Sequence, residues 1–320
     1  MNNAIKHPCG ILGGKQFKKI YGSGGFVSKQ VIKDYKHRAL VSVDIGPYGS
    51  GKGHDEFTGD CMQAYLQVLS WLCNGGDLSG PGKCREIVLA WSNTCETFKG
   101  ANSPLEMAWG ISPLVRSVEI LKWKWKDGWK PDDDKVFNRF IDKIALPNLI
   151  GRFEEVKKWK NNWIFTIIEA LIQIYMYRDD VDSVNKLVIV YKDLLKQCIQ
   201  TCGCNTENKR DMIHCQFQLA SQIQIAEMLW HQGVDLYDPL MLVSMEYQAR
   251  ILNGEIPCEL KKEDIKDNWF LPSSWEIGYN HYVNRKKKIM PHTSKLLSIN
   301  KPEVTMSFNW GPGILHKDSF

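Results

Sequence analysis

Apolar residues recur along most of this chain at a spacing near 3.6, the period of a helix that buries one face. Between Gly59 and Asn74 the stripe is Met62, Tyr65, Leu66, Leu69 and Leu72. The same pattern predicts helical runs over 83–98, 105–123, 134–149, 162–177, 181–198, 210–232, 239–252 and 274–284. Strand-like alternation is scarce. The runs span about 11 to 23 residues and are joined by short polar or Gly/Pro turns, as in helices stacked in antiparallel pairs. Periodicity alone gives an all-α globule. Residues 1–58, rich in Gly, Lys and Tyr and poorly periodic, read as an irregular arm around that helical body.

Composition narrows this picture slightly. No long Pro/Gly/Ser linker or low-complexity block divides the 320 residues, which favours one domain over 1–320. A hydrophobic content of 43% supports a sizeable core and excludes a disordered chain. The net charge of +5 is compatible with a polyanionic partner and equally with an ordinary solvated surface. Basic residues are dispersed, which argues against nucleic-acid binding. Nowhere do about 18 apolar residues run together, so no membrane span is expected. The opening MNNAIKHPCGILGG holds no signal-peptide core; the expectation is a cytoplasmic or packaged protein, or an exported one whose leader was removed. Ten scattered cysteines suggest reduced thiols.

Three segments invite chemistry that they do not support. IGPYGSGKG, from Ile45 to Gly53, has phosphate-loop glycines and Lys52, but Gly53 stands where a Ser or Thr must hold magnesium. A glycine-rich loop near a cleft is the better reading. Cys198, Cys202 and Cys204 lack the second pair that a zinc site of this type needs, and no catalytic metal or organic cofactor is expected. KWKWKDGWK, from Lys122 to Lys130, could stack sugars, but more simply caps a core with its indoles while its lysines reach water.

The stretch from Glu207 to Tyr237 is different. It puts Arg210, Asp211, His214 and Gln216 on the opening turns of a helix, with Arg210 and His214 four residues apart on one face. Each has a bland alternative: Arg210 as an ion-pair partner of Glu207 or Asp211, His214 as a satisfied core imidazole. Further along, Trp275, Tyr279 and Tyr282 share a helix face beside Asn280 and His281; such a stripe serves a core as readily as a cleft.

The RD-x-x-H-x-Q pattern, followed by Ala226, Glu227, Trp230 and Gln232 to Tyr237 as AE-x-x-W-x-QGVDLY, resembles one branch of the alginate lyase family of polysaccharide lyases. KNNWIFTIIEAL around Asn161 and Asn162, and SSWEIGYNHYVNRKKKIMPHTSKLL from Ser273, agree in order, and a looser similarity covers Asp60 to Leu121. The resemblance implies an α/α toroid, an incomplete barrel of helical hairpins, and β-elimination on a uronic-acid polymer such as alginate or a glucuronan. It singles out Asn162, Arg210, His214, Tyr279 and Tyr282 for catalysis. Asn161, Trp109, Gln216, Trp275, His281 and Arg285 are implied as substrate contacts.

Elimination requires neutralising the uronate carboxylate, removing the C5 proton and protonating the departing C4 oxygen. Asn162 with Arg210 or His214 suits the first task, as preorganised donors stabilise an enolate-like transition state. Tyr279 or Tyr282 is expected as the acid, with His214 as its partner or the base. The better-known branch has a histidine after the asparagine and a tyrosine seven residues after the arginine. This chain has Trp163 and Phe217 there, so its proton carriers have moved or vanished; His214 and the YNHY segment are the replacements on offer. Asn161 and Asn162 could equally be helix caps. Two rivals stay open: a polyuronate-binding protein without catalysis, and a hydrolase using two carboxyls, of which Asp211 is one candidate.

Overall fold

The computed structural model describes residues 1, 4–13, 30–74, 79–257, 260–267, 269–271 and 273–300. Part of the N-terminal arm and Cys258 lie outside the described residues. Helices dominate: α1 His54–Asn74, α2 Ser79–Thr94, α3 Ser103–Lys124, α4 Pro131–Phe140, α5 Leu146–Gly151, α6 Phe153–Trp159, α7 Asn162–Tyr177, α8 Val181–Cys198, α9 Met212–His231, α10 Pro239–Leu252, α11 Ser273–Tyr279 and α12 Pro291–Ile299.

These form an all-α toroid. Helices α1, α3, α7, α9 and α11 pack side by side in that order as an inner row, while α2, α8 and α10 lie outside against α1, α7 and α9. Burial follows position. Helix α9 is buried from Met212 to Leu229 except at His214, and α3 from Ser103 to Leu121, because neighbours cover inner helices on every side. On outer α8, Val184, Leu187, Tyr191, Leu194, Leu195 and Cys198 form one buried stripe with charged residues between them. One core cluster runs from Ile5 to Leu296. No helix among the described residues is long and apolar enough to cross a membrane.

Local chemistry sets the helix starts. Asp180, Asp211 and Asp238 accept from the backbone N–H groups of Ser183, His214 and Leu240 to cap α8, α9 and α10. The run expected over 134–149 is two helices joined by a π turn at Ile141–Ala145. Pro147 explains the break, since it lacks the N–H that would bond back four residues. Helices α6 and α12, of 7 and 9 residues, are too short for the periodicity to reveal.

A small sheet has strand order β2-β1-β3: β1 Ser42–Ile45 and β2 Gly51–Lys52 lie in the region read as an irregular arm, and β3 Thr97–Lys99 follows α2, which ends at Thr94, short of the helical run expected to 98. Strand β1 pairs antiparallel with β2 (Asp44 opposite Lys52) and parallel with β3 (Val43 opposite Phe98). The glycines that mimic a phosphate loop therefore build a hairpin. At Gly51, with φ of +94°, a Cβ would lie 2.2 Å from the Asp44 carbonyl oxygen.

Candidate active site

The starts of α1, α3, α7 and α9 converge on one cleft of about 450 Å³. Its lining includes Pro47, Tyr48 and Gly49 of the hairpin, His54, Glu106, Trp109, Trp159, Trp163, Arg210, His214 and Phe217. Four helix N-termini thus face the same space, and their partial positive charges favour an anion there. Trp109 meets Phe217 edge-on at 5.8 Å, and Trp159 meets Trp163 at 5.3 Å, which gives the cleft aromatic walls.

His214 stands on the first turn of α9 with Nδ1 2.7 Å from Asp211 Oδ1 and Oδ2. Asp211 also caps the helix by accepting from the His214 N–H at 2.8 Å. The carboxylate keeps the ring proton on Nδ1, so Nε2 carries the lone pair. Arg210 is half exposed, and its Nε lies 3.6 Å from Asp211 Oδ2, a contact loose enough to leave the guanidinium able to meet a ligand. Glu207 turns the other way. Its Oε1 accepts from the Asn162 N–H at 2.9 Å and ties the start of α7 to the loop before α9.

The sequence pointed to neither Tyr48 nor the pair His54 and Glu106. Nδ1 of His54 lies 2.8 Å from Glu106 Oε1, and Glu106 is buried. That contact raises the His54 pKa, while burial pushes the Glu106 carboxyl up against the pull of His54. Both groups shift upward, so the pair retains a proton to higher pH than a free imidazole would. Gly49 packs against the imidazole, where a Cβ would touch ring atoms at 3.4 Å. Tyr48, at the hairpin tip, is 96% exposed and sits in the left-handed region at φ 57°. Strained backbone of this kind persists where surrounding structure enforces it. A histidine directly after a glycine-rich turn was the available signal; the pairing with Glu106, 52 residues on, was not visible.

Other expectations need correction. The cleft holds Trp109, Arg210 and His214, and Asn162 begins α7 beside Trp163 with both amide atoms buried and without a hydrogen-bond partner among the described residues. Asn161 is a helix cap, its Oδ1 accepting from the Trp163 N–H at 3.1 Å. Gln216 is buried, donating to the Trp269 carbonyl and accepting from the Leu271 N–H, so it anchors a loop. Trp275 is 2% exposed and belongs to the core.

Tyr279, His281, Tyr282 and Arg285 do not line this cleft. Helix α11 starts against the middle of α9, where Gln224 Nε2 donates to Ser274 Oγ, and continues toward the α9 C-terminus. Arg285 there grips Glu227 with two bonds of 2.9 Å. Glu227 is 13 residues beyond His214, about 20 Å along the helix. The Tyr282 hydroxyl donates to the Asp238 carbonyl at 2.6 Å, and burial drives its pKa far up, away from acid–base use. His281 is buried, stacked on Tyr237 at 3.7 Å, and burial lowers its pKa to about 4. Tyr279 faces a separate depression with Asn284 and Ser294. Trp275 and Tyr282 of the aromatic stripe are core, as its spacing equally allowed, while Tyr279 is partly buried against it.

Solved structures similar to this chain include an alginate lyase from Bacteroides ovatus, with a TM-score of 0.60, 98% of this chain and 100% of that chain covered, and 10% sequence identity. Another is alginate lyase A1-III from Sphingomonas species A1, with a TM-score of 0.54, 87% and 84% covered, and 13% identity. The chain has the alginate-lyase fold. No family model and no curated protein matches the sequence. Within the alginate-lyase fold of this chain, the phrase AE-x-x-W-x-QGVDLY is structural. Glu227 binds Arg285, His231 and the Tyr237 hydroxyl, and Gln232 exchanges hydrogen bonds with the Lys6 backbone.

Proposed function

We propose that the chain is a polysaccharide lyase that cleaves a uronic-acid polymer by β-elimination in the cleft at the start of α9. The observation that carries this reading is a pair of carboxylate-backed histidines, His214 with Asp211 and His54 with Glu106, lining one aromatic-walled cleft together with Arg210.

Arg210 neutralises the uronate carboxylate, helped by the helix N-termini around it. The Asn162 amide, with unmet hydrogen bonds, is the second candidate donor. His214, with its proton held on Nδ1, takes the C5 proton at Nε2. His54, whose raised pKa keeps it charged to higher pH, protonates the departing C4 oxygen. In this assignment the electrons of the broken C5–H bond form the C4–C5 double bond as the C4–O bond breaks. Trp109, Trp159 and Trp163 supply faces for sugar rings, and the exposed Tyr48 hydroxyl is available at the rim. The cleft carboxyls Glu106 and Asp211 are buried and each engages a histidine, which disfavours a two-carboxyl hydrolase.

A panel of alginate, glucuronan, hyaluronan and pectate, followed by the ultraviolet absorbance of 4,5-unsaturated uronate, tests the reading. One polymer is expected to give rising absorbance. Depolymerisation with new reducing ends but no absorbance would make the protein a hydrolase, and binding without cleavage would make it a carbohydrate-binding protein.

A further inference from the structure

The N-terminal segment crosses the far ends of the inner helices, where the Lys6 N–H donates to Gln232 Oε1 at 2.7 Å. There His7 and Cys9 meet Glu119, 13 residues beyond Glu106 on α3 and so about 20 Å from the cleft. His7 Nδ1 lies 3.2 and 3.0 Å from the two Glu119 oxygens, and its Nε2 lies 3.1 Å from Asp179 Oδ1. The Cys9 N–H donates to Glu119 Oε2 at 2.9 Å. Among the described residues, the ligand atoms of His7, Cys9 and Glu119 form one grouping within 4.8 Å of one another.

The geometry demands a positive centre. A neutral imidazole has one ring proton, yet both His7 nitrogens face carboxylates. If Nε2–H goes to Asp179, the Nδ1 lone pair points at Glu119 lone pairs, and either a second proton or a cation must lie between them. A carboxylate on the outer nitrogen is also how proteins orient a metal-binding histidine. The third donor selects the ion. A thiol beside an imidazole and a carboxylate forms the mixed S, N, O set that zinc accepts, whereas calcium and magnesium prefer oxygen alone. Zinc bonds of about 2.0 to 2.3 Å in a tetrahedron set donors about 3.3 to 3.8 Å apart, a separation the present grouping can reach with small side-chain adjustments. Gln173 Nε2, 3.7 Å from Cys9 Sγ, is placed to donate to a thiolate. Trp123 stacks on the His7 ring at 5.2 Å and holds it in place.

We propose that His7 Nδ1, Cys9 Sγ and a Glu119 oxygen bind one zinc ion that fastens the N-terminal segment to α3, with water in the fourth position. Binding releases the Cys9 proton, and the second His7 proton where the ring is charged. Its role is attachment, since the cleft lies at the other end of α3. The Cys198, Cys202 and Cys204 set is not gathered in this way among the described residues.

Cobalt(II) is the direct probe. Chelator-treated full-length protein titrated with cobalt is expected to bind one equivalent and develop a near-ultraviolet sulfur-to-cobalt band that zinc abolishes. Cys9→Ser is expected to lose the band, whereas Cys202→Ser keeps it. Glu119→Gln keeps the thiol and is expected to weaken zinc affinity by more than the roughly 10-fold typical of a lost supporting contact. Absence of the band in the wild-type chain overturns the proposal. So does a band that survives Cys9→Ser or vanishes in Cys202→Ser, or zinc affinity unchanged by Glu119→Gln.

Discussion

Asp211 holds His214 twice, capping its backbone N–H at 2.8 Å and facing Nδ1 of the same residue's ring at 2.7 Å. One carboxylate thus starts α9 and fixes the imidazole tautomer. The two roles separate in Asp211→Asn. Asparagine caps helices as well as aspartate, so unfolding free energy should change by no more than about 1 kcal/mol. An amide can donate to Nδ1 and push the proton to Nε2, which removes the base. Turnover should fall by roughly 100-fold or more, as it should in His214→Ala. Denaturant melts beside steady-state rates check both halves.

His54 gives a prediction in pH. Its contact with Glu106 raises its pKa above the ordinary 6.5, so as the acid it is active while protonated. Turnover should therefore fall on the alkaline side with a midpoint above 6.5, and His54→Gln should lower the rate and abolish that limb. The same sign holds for stability. A histidine whose folded pKa is raised contributes fully below the unfolded value, and the contribution is lost as pH rises through the folded value. A pH–rate profile of the wild type and His54→Gln reads the first effect, and melts across the same range read the second.

The tyrosines of α11 and the turn after it should behave as structure. Tyr282→Phe removes one of two donors to the Asp238 carbonyl, which keeps the Met241 N–H at 3.0 Å, so the cost should be that of a single hydrogen bond, about 0.5 to 1.5 kcal/mol. Turnover of the folded variant should be unchanged, and Tyr279→Phe should alter neither quantity. Parallel melts and rates decide; a 100-fold loss of turnover in a stable Tyr279→Phe would return that tyrosine to the mechanism.

Arg285 and Glu227 form the fastening at the opposite end of α9. Burial pushes the Glu227 carboxyl up, but His231 and Arg285 outweigh it and hold the carboxyl well below the usual range. Arg285→Met leaves that charge to His231 and the Tyr237 hydroxyl, and should destabilise the fold by less than the roughly 3 to 5 kcal/mol of a fully unpaired buried charge. Polymer affinity, measured at a temperature where the variant is folded, should not change.

Much of the fold was legible because helix periodicity is local. The runs at 162–177, 181–198 and 239–252 coincide with α7, α8 and α10 to the residue. The hairpin was hidden because its strands are 4 and 2 residues long, too short for alternation to register. The sequence grouped Arg210 with His214, and both line the cleft, but only His214 stands on α9; Arg210 lies in the turn before the cap Asp211, outside the helical run expected to begin at 210. Tyr279 and Tyr282 misled because spacing shows which residues share a helix face but not what that face meets. The pairing of His54 with Glu106 was not legible, since packing of α1 on α3 joins them across 52 residues.

The most direct test follows absorbance of 4,5-unsaturated uronate when wild type, His214→Ala and His54→Gln are each given the polymer that the wild type cleaves. The account predicts a steady rise for the wild type and at least about 100-fold slower rises for both variants, with polymer binding retained. A wild-type rise left unchanged by both substitutions would contradict it.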